Sequence, residues 1–318
     1  MLRANQAVRL GLRAASRNPE LPFGRALLDQ LGNLLGLLPV LLAGFLLVGN
    51  VASLRAALRA VRALQWPTLG ALVAGAALAF ALGMIFWAGA LPLIAADAEM
   101  DRRPPAGNFA LLASRGFART LLSGVVGYAL AGGFSLACAA ALVAGMPAAL
   151  VHRSPALLAG AALVSTLAIA GSVLFDLLGR LLLLRAAAFG EGVTVAFGKA
   201  VSLLGARLGA CLAVSIAFLV LELVAASVAG MLTSVIYPSL FNADAALLGV
   251  APRLAVGLAT AVVFAWLEVG RMGALCALAM DAEGLLEPQA GSLPVAERVI
   301  EALPLEEPVI EALPADEG

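Results

Sequence analysis

The chain has 318 residues, with 20 basic and 20 acidic side chains and a formal net charge of zero. Its hydrophobic fraction is 62%, its charged fraction 13% and its mean hydropathy +1.01, far from the roughly 45–50% apolar and 25% charged residues of soluble domains. These values exclude a soluble globular protein, make the lipid bilayer the expected surroundings, and leave no reason to expect nucleic acid as a partner.

Residues 1–33 form an amphipathic segment expected on the cytoplasmic side. Arg9, Arg13 and Arg17 recur at four-residue steps on one face, while Val8, Leu12 and Ala15 cluster on another. Two readings stand: a helix lying in the headgroup layer with its apolar side down, or a solvated basic terminus. No short basic-then-apolar stretch with a small-residue cleavage site precedes Leu34, so the first span is expected to act as an uncleaved insertion signal.

Six long apolar stretches follow, at about 34–54, 69–95, 120–150, 157–184, 208–237 and 254–278. Each reaches the roughly 20 residues that carry a helix across the hydrocarbon core. The expected fold is therefore an all-α polytopic membrane protein, with six transmembrane helices in one domain over residues 34–283. The connections leave no room for a folded domain outside the bilayer.

Assigning Lys and Arg to alternate connections puts fifteen on the side of the termini and five on the other. The positive-inside rule then makes both termini cytoplasmic and the Val151–Ser154 turn external. Arg55, Arg59 and Arg62, just after the first span, run locally against this bias. A bacterial inner membrane is the expected location. Within the spans, Pro39 and Pro92 are candidate kinks, and Pro238 and Pro252 are expected to begin or end helices. Cys138, Cys211 and Cys276 lie far apart in apolar surroundings and read as packing residues.

The chain also resembles itself. Gly89-Ala-Leu-Pro-Leu-Ile-Ala-Ala-Asp-Ala-Glu99 closes the second stretch and aligns without gaps on Gly273-Ala-Leu-Cys-Ala-Leu-Ala-Met-Asp-Ala-Glu283, closing the sixth, with seven of eleven positions identical. Phe23-Gly-Arg-Ala and Phe197-Gly-Lys-Ala precede the first and fifth stretches, with a weaker copy from Asn108 to Arg115. The plan implied is a hairpin of two spans preceded by a cytoplasmic interfacial helix, repeated three times in one orientation. The matched Gly32-x-x-x-Gly36 and Gly205-x-x-x-Gly209 pairs are expected to let helices approach closely.

Five charges fall where lipid makes them costly: Asp176, Arg180, Glu222, Glu268 and Arg271. A charge near a helix centre is penalised by about 2.5–3.5 kcal/mol on insertion scales, so it faces the interior and finds a partner. Asp176 and Arg180 are four apart, Glu268 and Arg271 three apart, so each pair shares a helix face and an acid–base quartet between the fourth and sixth spans is geometrically open. Glu222 has no base near it in sequence; it either pairs across helices or is held neutral by burial. These five residues form the candidate intramembrane polar network, read either as interhelical glue or as a proton or cation site.

From residue 284 the composition changes. Eight acids face only Arg298, and Val299-Ile-Glu-Ala-Leu-Pro304 recurs as Val309-Ile-Glu-Ala-Leu-Pro314. Residues 284–318 read as a disordered acidic cytoplasmic tail, either without a partner or folding on a cytoplasmic protein. No nucleotide, zinc or catalytic motif occurs, and His152 has no acid or thiol near it in sequence; neither an enzyme nor a cofactor is expected.

The span-closing segments, with Phe23-Gly-Arg-Ala and Phe197-Gly-Lys-Ala, resemble the six-span membrane domain found beside some bacterial glycerophosphodiester phosphodiesterases and in related bacterial membrane proteins. The resemblance covers Phe23 to Glu283. It implies a non-catalytic membrane module, since no soluble phosphodiesterase domain is appended here. The leading functional expectation is a scaffold or accessory protein; the alternative is a small-solute or proton-coupled transporter.

Overall fold

The computed structural model describes residues 2–48, 54–100, 106–152, 155–236 and 246–286, with side chains described over 2–35, 68–99, 107–140, 159–234, 252 and 254–286. Most of the expected 34–54 span, the Arg55, Arg59, Arg62 cluster, the Arg153–Ser154 turn and residues 287–318 of the tail therefore lie outside the described side chains. Among the described residues the protein is entirely helical: α1 Ala4–Arg17, α2 Glu20–Val48, α3 Leu54–Met100, α4 Phe109–His152, α5 Pro155–Ala188, α6 Val193–Ile236 and α7 Ala246–Ala282, with a single 3₁₀ turn at Ala106–Asn108.

Five segments are long and apolar enough to cross a membrane: Thr68–Glu99, Phe109–Ala140, Ala159–Ala188, Val193–Ser234 and Leu254–Ala282. They correspond to the second through sixth expected stretches. The segment expected as a separate interfacial helix before the third span is instead the opening turns of α4, whereas the segment before the fifth span, residues 193–206, is set off from the rest of α6 by a kink. Nothing in residues 109–120 breaks the backbone ladder as a proline would. The one interruption in α6 is Arg207, whose φ of −133° and ψ of 31° leave the helical region. Pro252 likewise lies inside α7, which starts at Ala246, rather than at its end.

α1 begins with Gln6 accepting the Arg3 amide at 3.0 Å and ends at Asn18, whose buried amide donates to the Ala14 carbonyl at 2.9 Å. Pro19 then starts a new direction and α2 follows. The face of α1 that carries Ala7, Gly11, Ala14 and Ala15 is buried against α7, with Arg9 and Arg13 exposed on the other side. Small side chains set the distance. A Cβ placed on Gly11 would lie 2.1 Å from the Gly270 carbonyl oxygen and 2.6 Å from the Ala274 nitrogen, so the two backbones touch. A second contact of this kind joins α4 to α5, where a Cβ on Gly127 would lie 2.9 Å from the Gly179 Cα. Lipid tails are as apolar as leucine, so such close packing, rather than escape from water, holds membrane helices together. The Gly205 and Gly209 pair does not work this way: a Cβ at either meets nothing within 4 Å, because these residues flank the Arg207 kink and face away from other helices.

The packed core is concentrated at one end of the bundle. Residues 84–97 of α3, 177–188 of α5 and 265–280 of α7 are buried with few exceptions, joined by Cys211, Val214 and Phe218 of α6. α7 is the hub, contacting α1, α2, α3, α5 and α6. Toward the other end, Leu136 of α4, Leu163 and Ile169 of α5 and Leu223 and Met231 of α6 stand exposed, as side chains facing lipid would.

Candidate functional site

Glu268 projects from α7 between the buried Leu267 and Val269. Its carboxylate accepts a hydrogen bond from Arg25 Nε of α2 at 2.9 Å and lies 3.9 Å from Arg180 Nη1 of α5. Each arginine also holds an acid one turn away on its own helix. Arg25 reaches Asp29 at 3.1 Å, and Arg180 Nε donates to Asp176 at 2.8 Å. The result is a chain of alternating charge, Asp29–Arg25–Glu268–Arg180–Asp176, that ties α2, α7 and α5 together. Its three inner side chains are 16%, 24% and 23% exposed, against 42% for Asp29 and 54% for Asp176 at the ends.

The Arg25 guanidinium also lies over the Trp87 ring, 5.5 Å from its centroid, a cation–π contact. Burial pushes the Asp29 carboxyl above its usual range, with Arg25 pulling against that and Glu268 adding to it. Trp87 and Tyr128 line both of two clefts beside the chain. One, of about 290 Å³, opens between α2, α3 and α4 at the Asp29 end. The other, of about 80 Å³, lies at the Asp176 end.

Glu222 and Arg271, on another side of α7, form their own ion pair between α6 and α7. The five expected network residues therefore divide: Asp176, Arg180 and Glu268 join one chain, and Glu222 and Arg271 make a separate lock. The quartet across the fourth and sixth spans is replaced because Glu268 and Arg271, three residues apart, point about 60° apart around the helix. On a helix enclosed by neighbours, that angle aims them at different partners. Sequence reasoning missed Arg25, Asp29, Trp87 and Tyr128. The available signal was the Phe23-Gly-Arg-Ala motif: Arg25 and the matched Lys199 are both bases in ion pairs, Arg25 with Glu268 of α7 and Lys199 with Glu191 and Glu283, the latter just past the end of α7.

A further polar layer closes the core at the end where α1 packs. Asp97 faces Arg17 at 3.8 Å. Asp281 accepts from Arg207 and from the Leu2 amide at 2.8 Å. Arg185, only 3% exposed, is paired with Glu283 and lies 3.7 Å from Glu191. Burial works to raise the Glu283 carboxyl, but the hydrogen bond and charge of Arg185, followed by Lys199, outweigh it and hold the group below its usual range. The stability drawn from this pairing is complete above the unfolded-state value of about 4.3 and is lost as pH falls through the lower folded-state value. Glu283→Gln is therefore expected to flatten the acid limb of the stability–pH curve below about pH 5, measured by thermal unfolding in detergent. An unchanged acid limb would show that Glu283 is not a linked group.

These features define a multi-pass helical membrane protein whose polar interior is organised around one enclosed helix. Comparison with protein-family models, curated proteins and solved structures gives no match to the chain.

Proposed function

We propose that this chain is a six-span module of a bacterial inner membrane, with both termini cytoplasmic, built from a triplicated hairpin and acting as a non-catalytic scaffold or accessory protein. The carrying observation is how the costly charges are used. Glu268 is held by arginines of α2 and α5, and Arg271 by Glu222 of α6, so these groups tie α7 to three neighbours. A rigid hub with Arg9 and Arg13 exposed on α1 and an acidic tail over 284–318 suits the presentation of cytoplasmic surfaces to a protein partner. The resemblance of Phe23–Glu283 to the membrane domain beside bacterial glycerophosphodiester phosphodiesterases supports the same view.

A second reading, a small-solute or proton-coupled transporter, is favoured by the clefts that reach Asp29 and Asp176. Single cysteines at Arg153 and Asp316 test the orientation: an impermeant external reagent is expected to label the first and not the second, and the reverse would overturn it. Proteoliposomes separate the two functions. The scaffold carries no proton flux, whereas a flux abolished by Glu222→Gln would establish the transporter.

A further inference from the structure

We propose that the cleft between α2, α3 and α4 is a binding site for a small organic cation, an ammonium group carried on an apolar body. The cleft offers about 290 Å³, the small end of the range for ligand cavities. Arg25, Asp29 and Asn33 line it with Phe80, Trp87 and Tyr128.

The charge chain behind it selects the sign. Three carboxylates share two guanidiniums, and each arginine already serves two acids. The assembly is left with one negative charge, which repels an added anion and is satisfied by a single cation. Asp29 presents part of that charge at the cleft: it is 42% exposed, and the Arg25 guanidinium, 3.1 Å away, is divided between it and Glu268.

The walls select the ligand class. Phe80 and Tyr128 meet edge to face with centroids 5.4 Å apart, which fixes two rings at the cleft, and aromatic faces attract ammonium ions. One carboxylate and one side-chain amide fall short of the roughly six to eight oxygens that Ca²⁺ takes, and Mg²⁺ would have to keep several waters of its shell. The apolar rings would leave such an ion without its shell. An organic cation needs one carboxylate and an aromatic wall, and both are present.

The site goes beyond the scaffold function and holds whether or not the bound cation crosses the membrane. Benzyltrimethylammonium is the probe, with equilibrium dialysis against the purified full-length protein in nonionic detergent. Saturable binding is expected, weakened at least tenfold by Asp29→Asn and three- to tenfold by Tyr128→Ala, while benzoate, with the same ring and the opposite charge, fails to compete. Thermal unfolding of both variants near the wild-type temperature verifies that they are folded. Nanodiscs distinguish the natural source of the ammonium: binding weakened by phosphatidylethanolamine, but not by phosphatidylglycerol, identifies a lipid headgroup, and equal binding in both identifies a free amine. Absence of saturable binding, equal affinity in folded Asp29→Asn, or displacement by benzoate would overturn the proposal.

Discussion

Glu268→Ala is expected to lower the unfolding free energy of the detergent-solubilised protein by about 2–3 kcal/mol. Breaking a fully buried ion pair by removing one partner costs about 3–5 kcal/mol, because the other charge stays behind uncompensated. Glu268 answers two arginines, which raises the loss. Its side chain is 24% exposed, and Arg25 and Arg180 keep Asp29 and Asp176 as partners, which lowers it. Glu268→Gln preserves shape and one acceptor, so its effect is smaller. A double-mutant cycle with Arg25→Gln isolates the interhelical contribution, expected above about 1 kcal/mol for groups in direct contact. If Glu268→Ala unfolds within 0.5 kcal/mol of wild type, on the order of a neutral surface change, the charge chain does not hold α7 in place.

Gly11→Leu is expected to release α1 from α7. Every other side chain has a Cβ, and at this position it would overlap the Gly270 carbonyl and the Ala274 nitrogen. Both are helix backbone atoms and neither can rotate away, so α1 itself must lift. Overpacking of this kind costs about 1–3 kcal/mol, and a 14-residue helix is marginal without its tertiary contacts. The readout is a cysteine placed at Ala15, which is fully buried: maleimide is expected to label it rapidly in the Gly11→Leu background and slowly without it. Gly209→Ala is the control, because a Cβ there meets nothing within 4 Å. It is expected to be neutral or to stabilise by up to about 1 kcal/mol through helix propensity. Equal labelling in the two backgrounds would show that the Gly11 contact does not position α1.

Much of the fold was legible in sequence for a local reason. Whether a segment crosses lipid depends on how many consecutive residues are apolar, and a stretch such as 254–278 reports that by itself. The pairing of Asp176 with Arg180 was legible for the same reason, since four residues return a helix to the same face. The continuity of α4 through its first turns was harder to read. The weak repeat copy from Asn108 to Arg115 suggested a separate interfacial helix, yet a repeated motif does not by itself break a backbone hydrogen-bond ladder, and the ladder decides where a helix starts; before the fifth span the kink at Arg207 does break it. The Gly205 and Gly209 pair misled in the same way, whereas a Cβ on Gly32 would lie 3.4 Å from the Ala79 Cβ: spacing marks a stripe on a helix, but only a neighbouring helix makes the stripe a contact. That neighbour is present for Gly11 and Gly127 and missing for Gly205 and Gly209.

By itself the sequence determined the surroundings of this protein, its helical class and the short inventory of charges that must find partners inside it. Hydropathy is summed along the chain, so no tertiary information is needed to read it. Only the tertiary structure decided which charge meets which: Glu268 with Arg25, from the far end of the chain, and Arg271 with Glu222. An ion pair is chosen by the azimuth of each side chain and the depth at which two helices cross. Helices apolar on every side carry no polar face to reveal either quantity in advance.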